Sequence, residues 1–581
     1  MKKKMKAVVF VVVLYCLTCL TVAALASLIS VSSFFRSQFG VSKTSSIIAR
    51  GALLPYIQLS KKINGSFFLA WEKGLLIVEE TPNFIAQAQK LQKTYTDHLP
   101  LDPQLIFSTQ MEYSKLLNDS IILQQLISES KFAQILLPLT SYDIIQNQLA
   151  QNAQLFQAID TLLDYISNRL AENKPISLLF LFQNNMELRP TGGFPGSYAT
   201  LRLAKNEPIT FEVQDIYVPD GQLKGHVDPP LPIQEAFQQG FWKLRDANWH
   251  PDFQESATRI NWFFTEAGHA DIDGIVAINF TTIQKLLEIT GPVKVSDLNT
   301  TVTTENIYQI LQRADDKDFF AGSTKKRDTL SAFTTQLIFE LQHLPPKKYF
   351  SIISLLTTQL KQKDILINID DPDLSTLITL NHWDGKLTPV SCTDDGCIQD
   401  YFSVFEANLG VNKSNCCVNR NITLVKERDQ QGQLTTTSTL QYHNLGPGTK
   451  FAGVAGDYRA FIRIYFPANT QLSTLEINDK SYEQFIAEMK TAKYFHPITS
   501  DNFSWGDVAG LKELGMWIEV PQEKELTVVI KTTNVLSHTL PYSIIIQKQS
   551  GSSDQFNQYK VSLDDHMLFS GTIATDELFQ Q

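Results

Sequence analysis

The chain has 581 residues, of which 43% are hydrophobic and 19% charged, and its formal net charge is −10. That much apolar surface requires burial, which excludes global disorder, and the length predicts two to four domains. An acidic chain also lacks the basic face that nonspecific nucleic-acid binding needs, so we expect no nucleic-acid partner.

The N-terminus predicts a membrane segment. Residues 1–6 contain four lysines, and residues 7–35 contain no charged residue. This run exceeds the roughly 20 apolar residues that span a bilayer, and flanking lysines favour the cytoplasmic side. We therefore predict a basic cytoplasmic tail over 1–6, a single transmembrane anchor over 7–32, and an extracytoplasmic bulk. A cleaved signal peptide is the alternative, because Ala24-Leu25-Ala26 fits a cleavage site.

Residues 33–174 are predicted to be a helical region. Prolines such as Pro100 and Pro138 divide it into several helices. Near its end, apolar side chains recur at the spacing of a helix face: Leu149, Phe156, Ile159, Leu163, Ile166 and Leu170. A helix packed against its neighbours explains this stripe, and a short coiled coil is the alternative.

Residues 175–390 are predicted to form an α/β domain. The segments 176–182 and 273–280 are short apolar runs, typical of strands that are buried on both faces. Helices are predicted at 327–343 and 347–361. Strands that alternate with helices indicate an α/β arrangement.

From about residue 395 the pattern becomes all-β. The segments 422–427 and 434–442 flank Asp429-Gln430-Gln431-Gly432, which is a hairpin signal. Short strands at this spacing predict an immunoglobulin-like β-sandwich over 395–550, followed by a C-terminal tail over 551–581. The predicted fold class is therefore multidomain α+β.

Four cysteines lie close together in this part of the sequence: Cys392, Cys397, Cys416 and Cys417. An exported compartment permits disulfides, so we expect one or two bonds among them. A zinc site is the alternative, although no pair of histidines at ligand spacing accompanies the cysteines.

A polar, glycine-containing segment follows the first buried strand. It contains Asn184, Asn185, Glu187 and Arg189 and continues into Gly192-Gly193. Open α/β sheets bind ligands at such strand ends, and a guanidinium is suited to phosphate or carboxylate. The alternative is a tight turn held by an Arg–Glu pair.

A second polar segment repeats this chemistry. Arg245, Asp246 and Asn248 precede Trp249, so a polar pocket beside an aromatic wall is one interpretation. Asp246 and Glu187 are the candidate catalytic carboxylates, which would activate an acceptor hydroxyl. The alternative is a loop whose charged groups satisfy buried backbone atoms.

Two weaker candidates lie outside these segments. Asp215 and Asp220 belong to a loop rich in proline and glycine and could bind a divalent cation such as Mg²⁺, although solvated turn residues are the alternative. Arg327 lies near a predicted helix start, where a phosphate would also meet backbone N–H groups.

These segments resemble a bacterial family known as domain of unknown function 4012. The resemblance rests on three stretches in the central region, 184–194, 244–249 and 273–278, and extends over most of residues 175–550. It implies a membrane-anchored protein of the bacterial envelope and names no reaction.

A more remote resemblance is to the LytR-CpsA-Psr phosphotransferases, which attach glycopolymers to the cell wall. It rests on residues 272–287, on Gly291-Pro292-Val293 and on Lys326-Arg327. The resemblance implies that Arg189, Arg245 and Arg327 bind a polyprenyl-linked phosphate, often with magnesium. The Arg-Ser-Asp-Thr strand start of that family is absent, since 193–197 reads Gly-Phe-Pro-Gly-Ser.

Two functions follow from this sequence. The first is binding or transfer of a polyprenyl-phosphate-linked glycopolymer, in which Arg189, Arg245 and Arg327 surround one anion. The second is a non-enzymatic envelope scaffold or surface-binding protein. The position of the guanidinium groups separates the two, because only the first needs them around a shared cavity.

Overall fold

The computed structural model describes residues 39–63, 66–129, 141–296, 299–310, 325–345, 348–388, 400–446, 455–491, 503–535, 542–552 and 557–580, with a few residues between 18 and 26. The predicted anchor over 7–32 lies almost wholly outside these residues. Within them, no helix has both the length and the hydrophobicity that crossing a bilayer requires.

The N-terminal region consists of long helices. They are α1 (Phe39–Ile63), α2 (Ser66–Thr96), α3 (Pro103–Glu129) and α4 (Ser141–Ala171). Pro103 opens α3, where its missing N–H costs nothing. Of the predicted stripe on α4, Leu170 is buried and Ile159 and Ile166 pack partly buried against a core shared with the central sheet, which also contains Leu155 and Tyr165. This contact joins the helical region to the next domain.

The central region contains a mixed sheet covered by helices. The strands of this region are β1 (Ile176–Arg189), β2 (Gly192–Leu203), β3 (Thr210–Asp215), β4 (Gly274–Asn279), β5 (Val293–Val295), β6 (Thr300–Val302) and β7 (Ile365–Ile369). Its helices are α5 (Tyr217–Asp220), α6 (Leu231–Phe237), α7 (Phe253–Glu266), α8 (Phe280–Thr290), α9 (Lys325–Gln342), α10 (Tyr349–Lys361) and α11 (Pro372–Leu380).

The strand order of the main sheet is β3-β2-β1-β4-β7, and only β1 and β4 are parallel neighbours. The chain is therefore less regular than a repeated β-α-β pattern, because β1, β2 and β3 follow each other as antiparallel neighbours. Both faces of β1 carry buried apolar side chains, since Leu178 and Leu179 point to opposite faces and are both buried.

The C-terminal region is a β-sandwich. Its strands are β8 (Asp400–Asn408), β9 (Val418–Arg428), β10 (Gln433–Asn444), β11 (Tyr458–Pro467), β12 (Gln471–Ile477), β13 (Lys480–Ser481), β14 (Ser504–Val508), β15 (Leu511–Val520), β16 (Glu525–Val535), β17 (Ser543–Gln547), β18 (Asn557–Leu563), β19 (His566–Thr572) and β20 (Glu577–Gln580), with one helix, α12 (Tyr482–Thr491).

These strands form a seven-stranded and a six-stranded sheet around one apolar core. Leu424 and Leu440 from the first sheet and Ile462 and Met516 from the second are fully buried in it. The predicted hairpin is confirmed, since β9 and β10 pair antiparallel over their whole length. The described strands outnumber the seven to nine of an immunoglobulin domain.

The C-terminal residues 551–581 were expected to be a tail, but the strands within 557–580 complete both sheets. Strand β18 pairs parallel with β9, and β20 pairs antiparallel with β17. Alternating Tyr559, Val561 and Leu563 are buried, so this segment has the period of a half-buried strand. Its parallel partner lies more than 130 residues away in the chain, and no local pattern reveals that pairing.

One disulfide is present among the described cysteines. Cys416 is bonded to its neighbour Cys417 in a short 3-10 turn, Ser414–Cys417. Cys392 and Cys397 lie outside the described residues. No group of three or more residues of the types His, Cys, Asp and Glu is placed to bind a metal in the part of the chain that the structure describes.

The sandwich also encloses charged residues. Arg420 donates to both carboxylate oxygens of Glu406 at 2.7–2.9 Å, and Tyr458 donates to the same carboxylate. Lys426 pairs with Asp400 at 2.7 Å. All four charged side chains are at most 8% exposed, so each depends on its partner for solvation.

We predict that Glu406→Ala lowers the free energy of unfolding of the sandwich by about 3–5 kcal/mol, because Arg420 then remains buried without a counter-charge. Urea titration followed by tryptophan fluorescence measures this loss. The control is Lys480→Ala, which breaks a pair with Glu488 whose side chains are 46% and 61% exposed. Its cost should stay below about 1 kcal/mol, and equal costs for the two variants would contradict the prediction.

Candidate functional site

The end of β1 leaves the central domain and enters the sandwich. Its last residues are buried, and they contact the segment that follows β8. Leu188 donates its backbone N–H to Asn415 at 3.0 Å, and Arg189 donates to the carbonyl oxygen of Asn408. The candidate residues therefore lie at the junction of two domains.

Six charged residues form a continuous network at this junction, which we call the charge seam; four are buried, and Arg245 and Lys413 are partly exposed. Its members are Glu187, Arg189, Asp220, Arg245, Asp246 and Lys413. The Arg189 guanidinium lies 2.9 Å from Glu187 and 3.8 Å from Asp246, and its side chain is 3% exposed. Lys413, from the sandwich, pairs with the other oxygen of Glu187.

Arg245 is at the other end of the charge seam. It lies in a 3-10 turn, Leu244–Asp246, and its guanidinium is 3.1 Å from Asp220 and 3.7 Å from Asp246. It also donates to Gln239 at 3.3 Å and covers the ring of Tyr217 at 5.1 Å from the ring centre. Asp246 therefore bridges Arg189 and Arg245.

The charges of the seam are balanced, with three carboxylates facing two guanidiniums and one ammonium. Burial alone raises the pKa of the Glu187 carboxyl, but Arg189 and Lys413 together outweigh it and lower the pKa. Burial raises the pKa of Asp246 to about 6, and its two arginines only partly offset this. Burial likewise raises the pKa of Asp220 against the pull of Arg245.

The predicted amide ligands lie beside the seam. Asn248 donates to the carbonyl oxygen of Gly193 at 3.0 Å. Asn185 donates to Thr281 at 2.8 Å and to the carbonyl oxygen of Gly551 at 2.9 Å. Asn184 accepts the backbone N–H of Met186. These side chains organise the loop between β1 and β2 and its contact with the sandwich.

The remaining candidates are distributed differently. Arg327 falls in the first turn of α9, but its side chain lies outside the described residues. Asp215 caps the turn into α5 by accepting the N–H of Tyr217 at 2.9 Å. Asp220 is engaged by Arg245, so the carboxylate that was a candidate Mg²⁺ ligand already has a cationic partner.

The residues that the sandwich contributes lie outside the segments predicted from the sequence. Lys413, Asn408 and Asn415 come from the end of β8 and the turn after it, and the side-chain amide of Gln549 donates to the carbonyl oxygens of Arg189 and Glu406 at 2.9 and 2.8 Å. These residues are more than 200 positions from Arg189 in the chain. Only their polarity amid apolar strands could have drawn attention to them.

Comparison with known proteins adds a partial family match. Residues 173–315 match the family described as "Protein of unknown function (DUF4012)". This range contains the end of β1 and the Leu244–Asp246 turn, and all of the charge seam except Lys413. No curated protein matches the chain.

Several solved structures are similar to part of the chain. A putative nutrient binding protein from Legionella pneumophila has 8% identity and a TM-score of 0.20, and the match covers 29% of this chain and 54% of that protein. A Listeria innocua protein has 11% identity and a TM-score of 0.23, with coverage of 36% and 78%. A transcriptional regulator from Bacillus subtilis has 16% identity and a TM-score of 0.22, with coverage of 37% and 78%. At these scores the similarity supports no statement about function.

We predict that Asp246 makes stability depend on pH in a defined direction. Its pKa of about 6 in the folded protein exceeds the value of about 4 in an unfolded chain, so the folded state holds an extra proton between these values. Stability therefore falls as the pH rises from 4 to 6. Relative to Asp246→Asn, the wild type should lose about 2–3 kcal/mol across this window.

Urea unfolding of both proteins at pH 4, 5, 6 and 7 measures this difference. The substituted amide in Asp246→Asn does not titrate, so subtraction of the two curves removes the contribution of groups that do not interact with Asp246. A difference that stays constant with pH, or that grows in favour of the wild type, would contradict the raised pKa.

Proposed function

We propose that this chain is a membrane-anchored bacterial envelope protein that acts as a non-enzymatic scaffold or surface-binding protein. The single observation that supports this role is the balance of the charge seam. Arg189 and Arg245, which were expected to bind phosphate, each contact a buried carboxylate already. The seam joins the central domain to the sandwich, so a structural purpose accounts for its charges.

Export to the envelope is supported by two features. The first is the uncharged run over 7–35 behind four lysines. The second is the bond between Cys416 and Cys417, because disulfides persist mainly in exported compartments. The envelope location also agrees with what the family resemblance implies.

A second candidate is binding or transfer of a polyprenyl-phosphate-linked glycopolymer in a LytR-CpsA-Psr-like pocket. One observation favours it, since Arg189 and Arg245 lie on two sides of the same carboxylate, Asp246. A phosphate needs spare positive charge, however, and the seam has none. An anion would have to displace Asp246 or Glu187 from its arginine before it could bind, with or without Mg²⁺.

Lipid-extract mass spectrometry of the detergent-purified full chain separates these functions. We expect no polyprenyl phosphate with the wild type, with Arg245→Ala or with Arg202→Ala. Arg202 is the matched control, because its side chain is 44% exposed and lies outside the seam. Lipid that copurifies with the wild type and Arg202→Ala but is lost from Arg245→Ala would establish the second candidate and overturn the scaffold role.

Membrane anchoring is tested separately. We expect the full chain to remain in the membrane fraction after extraction at about pH 11, a treatment that weakens the electrostatic attraction between peripheral proteins and the membrane surface. We also expect the intact mass of the protein to include residues 1–32. Deletion of residues 1–32 should release the protein. An intact mass that corresponds to a chain starting at Ser27 would show that the N-terminal segment is a signal peptide that is cleaved after Ala26.

A further inference from the structure

A layer of uncharged polar side chains lies at the carboxyl end of β4, where the parallel pairing of β4 with β1 stops. Gln183 and Asn279 are neighbours in the register of these two parallel strands, and they are 2% and 1% exposed. Thr191 and Asn248 are 1% and 0% exposed, and Asn185 lies beside them. We call these five residues the polar layer.

Each member of the polar layer has one atom without a partner. Five buried atoms of the layer make no hydrogen bond among the residues that the structure describes: Gln183 Nε2, Asn185 Oδ1, Thr191 Oγ1, Asn248 Oδ1 and Asn279 Oδ1. Native proteins leave few buried polar atoms unpaired, because each such atom is costly. Five of them around Gly192 and Gly193 therefore need partners from outside the protein, either water or a bound group.

The side chains of the polar layer gather around the two glycines that begin β2, Gly192 and Gly193. A Cβ built on Gly192 would collide with Asn279 Oδ1 and Gln183 Oε1, so both amides touch the bare backbone. Asn248 holds the carbonyl oxygen of the next glycine, Gly193, at 3.0 Å. Glycine permits such close approach of backbone to side chain or ligand.

A short segment of the sandwich covers this layer. Residues 548–551, which we call the plug, follow β17. Ser550 accepts a hydrogen bond from Asn279 at 3.1 Å, and Gly551 accepts one from Asn185 at 2.9 Å. Ser550 also forms an isolated β-bridge with Thr191. The plug therefore occupies the strand ends where open α/β sheets bind ligands, yet it leaves five atoms unpaired.

The plug fits only because it lacks a side chain at Gly551. The φ angle there is +74°, and a Cβ would lie 2.9 Å from the backbone of Gly192 and 3.0 Å from Asn185 Cβ. A larger residue at this position would push the plug away from the polar layer.

The chemistry of the layer defines its ligand. Three amide oxygens accept hydrogen bonds, one amide nitrogen donates, the Thr191 hydroxyl can do both, and none of these groups is charged. A phosphate would meet carbonyl oxygens and be repelled. A hydroxyl group both donates and accepts, so an uncharged polyhydroxy compound such as a sugar matches the set.

We propose that the polar layer is a binding site for an uncharged sugar, and that the plug closes it. The plug competes with the ligand, so displacement of residues 548–551 opens the site. This inference goes beyond the scaffold role, and it does not depend on the membrane anchor.

The test uses the full chain in detergent with chitobiose, an uncharged sugar that has hydroxyl and amide groups. Gly551→Val should displace the plug. We expect faster hydrogen–deuterium exchange in residues 183–193 and 274–281, and chitobiose affinity about tenfold tighter than wild type, since the open fraction rises. Ser550→Ala removes only the serine hydrogen bonds. It should also raise the exchange rate and the chitobiose affinity, but by less than Gly551→Val.

Two further variants make the result decisive. Thr191→Val removes a hydroxyl that has no partner, so in the Gly551→Val background it should weaken chitobiose binding at least about threefold without lowering the unfolding temperature. Gly506→Val is the control, because no atom lies within 4 Å of a Cβ built there, and it should leave exchange and binding unchanged.

The proposal is overturned if Ser550→Ala and folded Gly551→Val show neither faster exchange nor chitobiose binding. It is also overturned if Thr191→Val leaves the affinity unchanged, because the sugar would then bind elsewhere. If Gly551→Val fails to fold, the exchange rate and chitobiose binding of Ser550→Ala alone decide whether the proposal holds.

Discussion

A buried charge is stable only beside a counter-charge, and this requirement governs the joint between the central domain and the sandwich. Strand β1 extends past its neighbour β4 and brings Glu187 and Arg189 into the interior of the protein. The sandwich contributes Lys413 and a backbone carbonyl oxygen as partners for these charges, and the Leu244–Asp246 turn contributes Asp246. Neither domain alone could solvate these groups.

This arrangement explains why a segment rich in ligand-type residues need not bind a ligand. Arginine, carboxylate and amide side chains suit a phosphate site, and they equally suit a self-neutralising interface. The difference lies in the charge balance, which in the seam is zero. The same solution recurs inside the sandwich, where Glu406 neutralises Arg420 and Asp400 neutralises Lys426.

Two environments therefore meet at the loop between β1 and β2. On one side, the charged groups are paired and hold the domains together. On the other side, the amides of Gln183, Asn185 and Asn279 retain unpaired atoms beneath the plug. Charged pairs tolerate little loosening, because separation exposes each charge to a low-dielectric interior. The uncharged layer costs less to open, which makes it the better place for binding.

Much of the fold is visible in local pattern. The apolar runs of β1 and β4, the hairpin of β9 and β10 and the division into an α+β chain follow from hydrophobic period and turn residues, which act over a few positions. The same holds for the position of the candidate segments at strand ends. The alternation of apolar residues in β18 indicates a strand, but it does not indicate that β9 is the partner strand.

The sequence by itself determined which residue types stand at the end of β1 and in the Leu244–Asp246 turn, because chain order and composition are local properties. Only the tertiary structure decided what those residues do. Lys413 and Gln549 approach Glu187 and Arg189 from more than 200 positions away, and charge neutralisation depends on distances of a few ångströms. No sequence pattern reports how close in space two residues so far apart in the chain will lie.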